Sequence, residues 1–243
     1  MFVDRSAAGV MLSHRLTQIC PQESVVLGIA RGGVPLAYEV ARQLAIPLDV
    51  LVVRRLTASD PPYATIGAAT EDGIVVGDQV PAKVLRPTLV QIDRQSRAYR
   101  SGRAPSTLIG RTAVVIDDGV ITGTTARAAC RLARWRGASR VVFAAPVMSV
   151  RAVADLADVA DDLPRIVTPA RILDLSAWYV TFPQLTDADV VGYLNRPELV
   201  ADQIGRTAHE ARSAPSLVAE RSGATDSVPA AGGPTRRTAE TPP

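Results

Sequence analysis

The sequence predicts an α/β protein: a parallel sheet of about five strands with helices on both faces, a small hood and a disordered C-terminal tail. Three observations predict it. Two separate stretches run strand, glycine-rich turn, helix, strand, which is the βαβ signature of parallel pairing. The apolar runs are short and continuous, as strands covered on both faces require. From about Gly205 the composition shifts to Ala, Ser, Thr, Pro, Gly and Arg without periodicity, and such a segment buries too little apolar surface to fold.

Residues 5–19 carry Ala7, Val10, Met11, Leu12 and Leu16 at helical spacing, with Asp4 or Ser6 placed to cap the helix. Val25 to Ala30 reads as a buried strand, Arg31-Gly-Gly-Val-Pro35 as the turn, and the segment to about Leu44 as a helix. Leu48 to Val53 is the next strand. The second unit is Thr112 to Asp117, a helix to Arg136, and the strand Arg140 to Pro146. Residues 149–161 read as helix and Arg165 to Thr168 as a last short strand. Between the units, Arg54 to Asp72 holds Asp60-Pro-Pro62 and many small residues, so it is expected to be a loop or lid with little strand. Pro81 to Arg100 reads as a long helix ending near Ser101-Gly102. The hood is expected from the N-terminal and late segments. The domain is placed at residues 1–204 and the tail at 205–243.

At 243 residues, with 47% hydrophobic content, the chain can bury one substantial core. No apolar run approaches the roughly 18 residues that span a bilayer. The first residues lack the basic-then-apolar pattern of a secretory signal, so a cytoplasmic protein is expected. Cys20 and Cys130 are too few for a disulfide framework, and His14 and His209 too few for a metal cluster. The net charge is +3, carried almost wholly by arginine. Lys83 is the sole lysine, on an undistinguished polar stretch, which argues against Schiff-base chemistry. Arg127, Arg131 and Arg134 share a helix face, as do Arg97 and Arg100. These read as solvated faces rather than a track for nucleic-acid phosphates.

The chemistry concentrates in Val114-Val-Ile-Asp-Asp-Gly-Val-Ile-Thr-Gly-Thr-Thr125. Here a buried strand delivers two adjacent carboxylates and then a turn of glycine and threonine that opens a helix. Backbone N–H groups at a helix N-terminus, with the Thr122, Thr124 and Thr125 hydroxyls and the open backbone of Gly123, suit a phosphate monoester. Asp117 and Asp118 would repel that phosphate. They suit vicinal hydroxyls, or water on a divalent cation, through charge-assisted bonds of about 1.5–3 kcal/mol each. Ala30-Arg31-Gly32-Gly33 offers a fixed cation and no acid, which suits a more highly charged anion such as pyrophosphate. The two sockets together describe a ribose with a phosphate at one end and a diphosphate at the other.

Asp117-Asp118-Gly-Val-Ile-Thr-Gly-Thr-Thr125 closely resembles the phosphoribosyl-diphosphate signature of type I phosphoribosyltransferases, and Gly28-Ile-Ala-Arg-Gly-Gly-Val-Pro35 resembles their pyrophosphate loop. The likeness is also to a bacterial group of stand-alone phosphoribosyltransferase-domain proteins and covers about residues 1–195. It takes in Phe2-Val-Asp-Arg5 with Ala8-Gly9, Leu48 to Arg54, Ile66-Gly-Ala68, Glu71-Asp-Gly73, Tyr99-Arg100, Trp178-Tyr179, Phe182 and Gln184. The resemblance implies a type I phosphoribosyltransferase-like fold. It implies that Asp117 and Asp118 contact the ribose hydroxyls and hold Mg²⁺, and that Gly119 and Ile121 to Thr125 wrap the 5′-phosphate. Ala30 to Gly33 would bind pyrophosphate, often through a cis peptide before the cation, and residues 54–73 would close over the site. Arg31, with Arg54 or Arg55, would stabilise the leaving charge.

One departure bears on the acceptor. Purine-salvage members carry an aspartate where this chain has Ile121, and isoleucine can neither give nor take a proton. The expected activity is transfer of phosphoribosyl from phosphoribosyl diphosphate to an unidentified nitrogenous acceptor, with a homodimer left open. The alternative is a non-catalytic sensor of phosphoribosyl diphosphate, or a nucleic-acid-binding regulator, on the same fold. Trp178 and Tyr179 read as hood packing rather than a stacking platform for the acceptor, and Cys130 as core.

Overall fold

The computed structural model of the chain describes residues 1–58, 60 and 64–196. The expected tail, 205–243, and part of the Asp60 turn lie outside the described residues. The core is one five-stranded sheet of β1 (Ser24–Ile29), β2 (Leu48–Leu51), β6 (Thr112–Ile116), β7 (Arg140–Val147) and β8 (Arg165–Val167), all parallel, in the order β2-β1-β6-β7-β8. Each strand pair is joined through a crossover, so the sheet is covered on both sides.

Side-chain alternation divides the core. Val26, Val50, Val114, Ile116 and Val142 pack under α1 (Arg5–Leu16) and α2 (Gly33–Leu44). Val25, Leu27, Val115, Val141 and Phe143 face α4 (Thr124–Trp135) and α5 (Val150–Leu156). Because both faces are buried, the strands read as unbroken apolar runs. Asp4 caps α1, its Oδ1 accepting from the Ala7 N–H at 2.7 Å.

The stretch expected to be a loop is mostly strand. β3 (Val53–Thr57), β4 (Thr65–Thr70) and β5 (Val75–Val76) form a separate antiparallel sheet lying against α3 (Ala82–Arg100) and α4. Only Val52 separates β2 from β3, so the chain runs from the edge of the main sheet straight into this hood sheet. The small residues read as loop formers are here for packing: a Cβ on Gly67 would strike the Val76 carbonyl of the neighbouring strand. The segment 149–161 is also corrected, since α5 stops at Leu156. Beyond it, Asp158 and Asp161 reach back to pair with Arg127 and Arg134. Two of the three arginines on that face are therefore paired within the protein.

Arg100 departs from expectation more sharply. It is 5% exposed rather than solvated, and donates to both carboxylate oxygens of Glu71 and to the Val50 carbonyl. Arg136 also reaches Glu71, at 3.2 Å, and Asp72 at 2.7 Å. Glu71, at the end of β4, thus locks the hood sheet to α3, α4 and the edge strand. The N-terminal and late segments meet as expected: Phe2 bridges Tyr179, and α6 (Asp187–Leu194) packs on α2 and α3.

Breaking a buried ion pair on one side leaves uncompensated charge, at a cost of about 3–5 kcal/mol. Glu71→Ala takes the shared carboxylate from two arginines, which keep Asp49 and Asp72 as their remaining partners, so urea unfolding should show a loss of up to that size. A change under about 1 kcal/mol would mean that the lock carries no weight.

Candidate functional site

In the order β2-β1-β6-β7-β8 the strand sequence reverses direction between β1 and β6. Ligands of open parallel sheets collect in the crevice at the carboxyl ends of such neighbours. Both predicted turns lie there. The first leaves β1 at Ala30, whose N–H donates to the Leu51 carbonyl at 2.9 Å. The Ala30–Arg31 peptide is cis, as the resemblance led us to expect. The second turn leaves β6 at Asp117, whose N–H bonds to the Ala144 carbonyl at 3.2 Å.

The two turns touch. A Cβ on Gly33 would collide with the Ile116 carbonyl and lie 3.0 Å from the Asp117 Cα, and one on Gly32 would enter the Asp118 carboxylate. Only glycine lets the first turn lie against the acidic pair. Gly32 and Gly123 are the N-cap positions of α2 and α4, so no side chain caps either helix. The positive end of each helix dipole faces the crevice. In α2 the Val34 N–H turns back to the Arg31 carbonyl at 3.2 Å and Pro35 has none, so α4 leaves more of its first-turn N–H groups for an anion. Gly123 has φ +76°, a backbone state side chains resist. The leg of the loop is strapped to β7 by the Val120 N–H on the Val147 carbonyl at 2.9 Å. Ser149 Oγ completes the strap by donating to the Ile121 carbonyl at 2.7 Å. Thr122 and Thr124 bring their hydroxyls within 3.4 Å of each other at the loop mouth.

Asp118 is the more deeply set of the two acids, at 8% exposed. Its Oδ2 accepts from Arg5 Nε at 2.9 Å, and the guanidinium lies 3.6 Å over the Phe182 ring and donates to the Pro183 carbonyl at 2.8 Å. Tyr179 donates its hydroxyl to the Asp118 carbonyl at 2.5 Å while its ring packs between Phe2 and Phe182. Tyr179 is therefore hood packing with a polar tip on the site. Burial raises the Asp118 carboxyl above its ordinary range and the Arg5 cation pulls it back. Asp117 has no such partner: burial first, and Asp118 second, push it well above the ordinary carboxylate range, with Arg55 opposing.

The two lid arginines do not share a socket. Successive residues of β3 point to opposite faces. Arg55 lines the small cleft with Asp117, Gly119, Ile121 to Thr125 and Leu175. Arg54 turns the other way, to Gln95 Oε1 at 2.9 Å, on the side where Arg31 stands 3.9 Å from Asp187. Burial pushes Cys130 up to about 12 and Cys20 up to about 11, so neither is a thiolate at neutral pH. Among the described residues no group of three or more His, Cys, Asp or Glu could hold a metal ion by itself, and no helix is long and apolar enough to cross a membrane.

The phosphoribosyl transferase domain family matches residues 5–166, a span that holds both turns, the hood sheet and Arg5. The chain belongs to that family. A Mycobacterium tuberculosis protein of strain H37Rv, provisionally named a phosphoribosyl transferase, is 42% identical over 207 residues. Its alignment covers 81% of this chain and 47% of the relative, so the chain spans about half the length of the curated relatives it matches. The crystal structure of TT1426 from Thermus thermophilus superposes with a TM-score of 0.67 at 33% identity, covering 80% of this chain and 97% of that one. The fold is the type I phosphoribosyltransferase fold expected from the sequence.

Within this phosphoribosyl transferase domain, sequence reasoning missed Arg5, Leu175 and Asp187 as site residues. Arg5 stood in the Phe2-Val-Asp-Arg5 stretch, but nothing local said that it reaches Asp118. Leu175 packs on Gly119, where a Cβ would meet its side chain, and it comes from a segment with no motif.

The raised Asp117 carboxyl makes a pH prediction. Its folded value lies above its unfolded one, so the folded state holds the extra proton and loses relative stability as pH rises past about 4. Asp117→Asn removes that cost. At pH 7 its melting midpoint should rise by roughly 2–4 °C, the shift that about 1 kcal/mol produces in a domain of this size. The gain should fade below the unfolded value, near pH 3.8, as wild-type Asp117 protonates in both states. A lowered midpoint at pH 7 would contradict the assignment.

Proposed function

We propose that this domain transfers the phosphoribosyl group from phosphoribosyl diphosphate to a nitrogenous acceptor and releases pyrophosphate. The observation that carries the reading is the contact of the two uncapped glycine turns at adjacent strand ends, one acidic and one cationic. Their chemistry matches a molecule with a phosphate, a diol and a diphosphate in that order. The family match and the conditional name of the mycobacterial relative support the same reading.

In this assignment the α4 turn, Gly119 and Ile121 to Thr125, holds the 5′-phosphate through backbone N–H groups and the threonine hydroxyls. Arg55 adds a cation from the hood. Asp117 accepts from a ribose hydroxyl, and Asp118, paired with Arg5, accepts from the neighbouring one. The turn from Ala30 to Gly33 presents the backbone N–H groups that follow Ala30 and the Arg31 guanidinium to the pyrophosphate, with Arg54 on the same side. The C1′–O bond to pyrophosphate breaks as the acceptor nitrogen bonds to C1′. Positive charge develops on the ribose, where the carboxylates stabilise it, and negative charge on the leaving group, where Arg31 does.

The donor set suits Mg²⁺. This ion takes one or two carboxylates and leaves its other positions to water and substrate phosphates, so no full protein cage is required. Asp117, and the Asp118 oxygen that Arg5 does not bind, would hold it; when bound it neutralises charge on the leaving phosphates. The two carboxylates crowd each other in its absence, and a cation relieves that repulsion. The acceptor meets Ile121 and Leu175, neither able to exchange a proton. This favours an acceptor nitrogen whose proton is lost without help from position 121.

Donor binding is the test. Isothermal titration with phosphoribosyl diphosphate and magnesium should show binding to the wild type and none to Asp117→Ala/Asp118→Ala. Arg55→Ala should weaken it by about tenfold or more, in line with loss of a charge-assisted bond. Unchanged affinity in the double variant would refute the assignment.

A further inference from the structure

Asp187, the first residue of α6, lies at the pyrophosphate turn and has no part in the assignments above. Its Oδ1 accepts from the Tyr99 hydroxyl at 2.5 Å and from Gln95 Nε2 at 3.1 Å, and Arg31 approaches that same oxygen at 3.9 Å. The Gln95 amide has its other end on Arg54 at 2.9 Å. The amide orientation follows from these partners, since only its oxygen can accept from a guanidinium. One carboxylate thus gathers both cations assigned to pyrophosphate, Arg31 directly and Arg54 through a single amide. The Tyr99 ring is fully buried, and Thr186 and Asp189 box the start of α6, so the carboxylate is held in place. The side chains of Asp187 and Arg31 are each 46% exposed, so the pair faces the open crevice.

We infer that Asp187 is a built-in counter-charge to the pyrophosphate cations, which occupies Arg31 in the free site and weakens the hold on pyrophosphate. This positioning role rests on the pyrophosphate assignment of the Arg31 turn. A carboxylate about 4 Å from that guanidinium is a like charge beside any anion bound there. Pyrophosphate must therefore draw Arg31 away from Asp187 on arrival, and Asp187 recovers it on departure. The device favours turnover over retention, because a product held by two arginines and a helix end leaves slowly without such competition. Tyr99 and Gln95 keep the carboxylate ionised by donating to it, and Arg31 and Arg94 add opposite charge. In Asp187→Asn the amide oxygen can still accept from Tyr99 and Gln95, so the substitution removes charge and little else.

The experiment is titration of the full chain with inorganic pyrophosphate in metal-free, low-salt buffer, for wild type, Asp187→Asn and Arg31→Gln. Asp187→Asn should bind pyrophosphate on the order of fivefold more tightly, as expected for one like charge at this distance in water. The gain should shrink at high salt, because the pair is exposed. Arg31→Gln should bind more weakly than wild type. Equal or weaker binding by Asp187→Asn, with Arg31→Gln still impaired, overturns the counter-charge while leaving the pyrophosphate turn in place. If Arg31→Gln binds as well as wild type, the turn assignment itself fails and the inference fails with it.

Discussion

The Asp118 carboxylate is the point to which the rest of the site is tied. A buried charge needs a partner, and Asp118 finds one in Arg5, at the other end of the domain in sequence. To deliver that guanidinium, the start of α1 must sit above the carboxyl ends of the strands. To hold it there, Phe182 covers its face and the Pro183 carbonyl takes its second bond. Tyr179 closes the circuit on the Asp118 carbonyl, and Gly32 fills the remaining side. One ion pair therefore joins the N-terminal helix, the late hood segment, the acidic turn and the cationic turn. It also divides labour between the two acids. Asp118 has a cation beside it to offset its burial, and Asp117 is left to burial and repulsion until something positive or hydrogen-bonding arrives.

A second constraint comes from the way the chain leaves the main sheet. β2 passes into β3 with one intervening residue, so the hood sheet starts directly above the crevice. Alternation along β3 sends Arg54 and Arg55 to opposite sides, one toward the cationic turn and one toward the acidic turn that opens α4. Glu71 then binds the far end of β4 to Arg100 and Arg136. The hood is thereby anchored to the core at its Glu71 end, while its first strand carries both arginines to the crevice.

Much of this was legible in the sequence, for physical reasons. The parallel strands are buried on both faces and so appear as short apolar runs. The glycine turns appear because the backbone of one must lie against the other, with no room for a Cβ at Gly32 or Gly33. What stayed hidden depends on distant partners. β4 is Thr65-Ile-Gly-Ala-Ala-Thr70, and its small side chains resemble a loop until β5 and α4 are placed against it. Arg100 looked like surface because its acids, Glu71 and Asp49, lie far away in sequence. The helix after Ser149 looked longer because Ala157 and Ala160 continue its apolar spacing, whereas the chain beyond Leu156 turns to bring Asp158 and Asp161 to Arg127 and Arg134. Asp187 had no local signal at all.

The central claim is that the two turns act on one molecule, splitting it between them. The direct measurement is release of labelled pyrophosphate from phosphoribosyl diphosphate carrying the label in its diphosphate, with a fractionated metabolite extract as the source of acceptor. The account predicts release that requires both protein and a small-molecule fraction, and that is lost when Asp117 and Asp118 are both replaced by alanine. Tight donor binding without acceptor-dependent release from any fraction would contradict it.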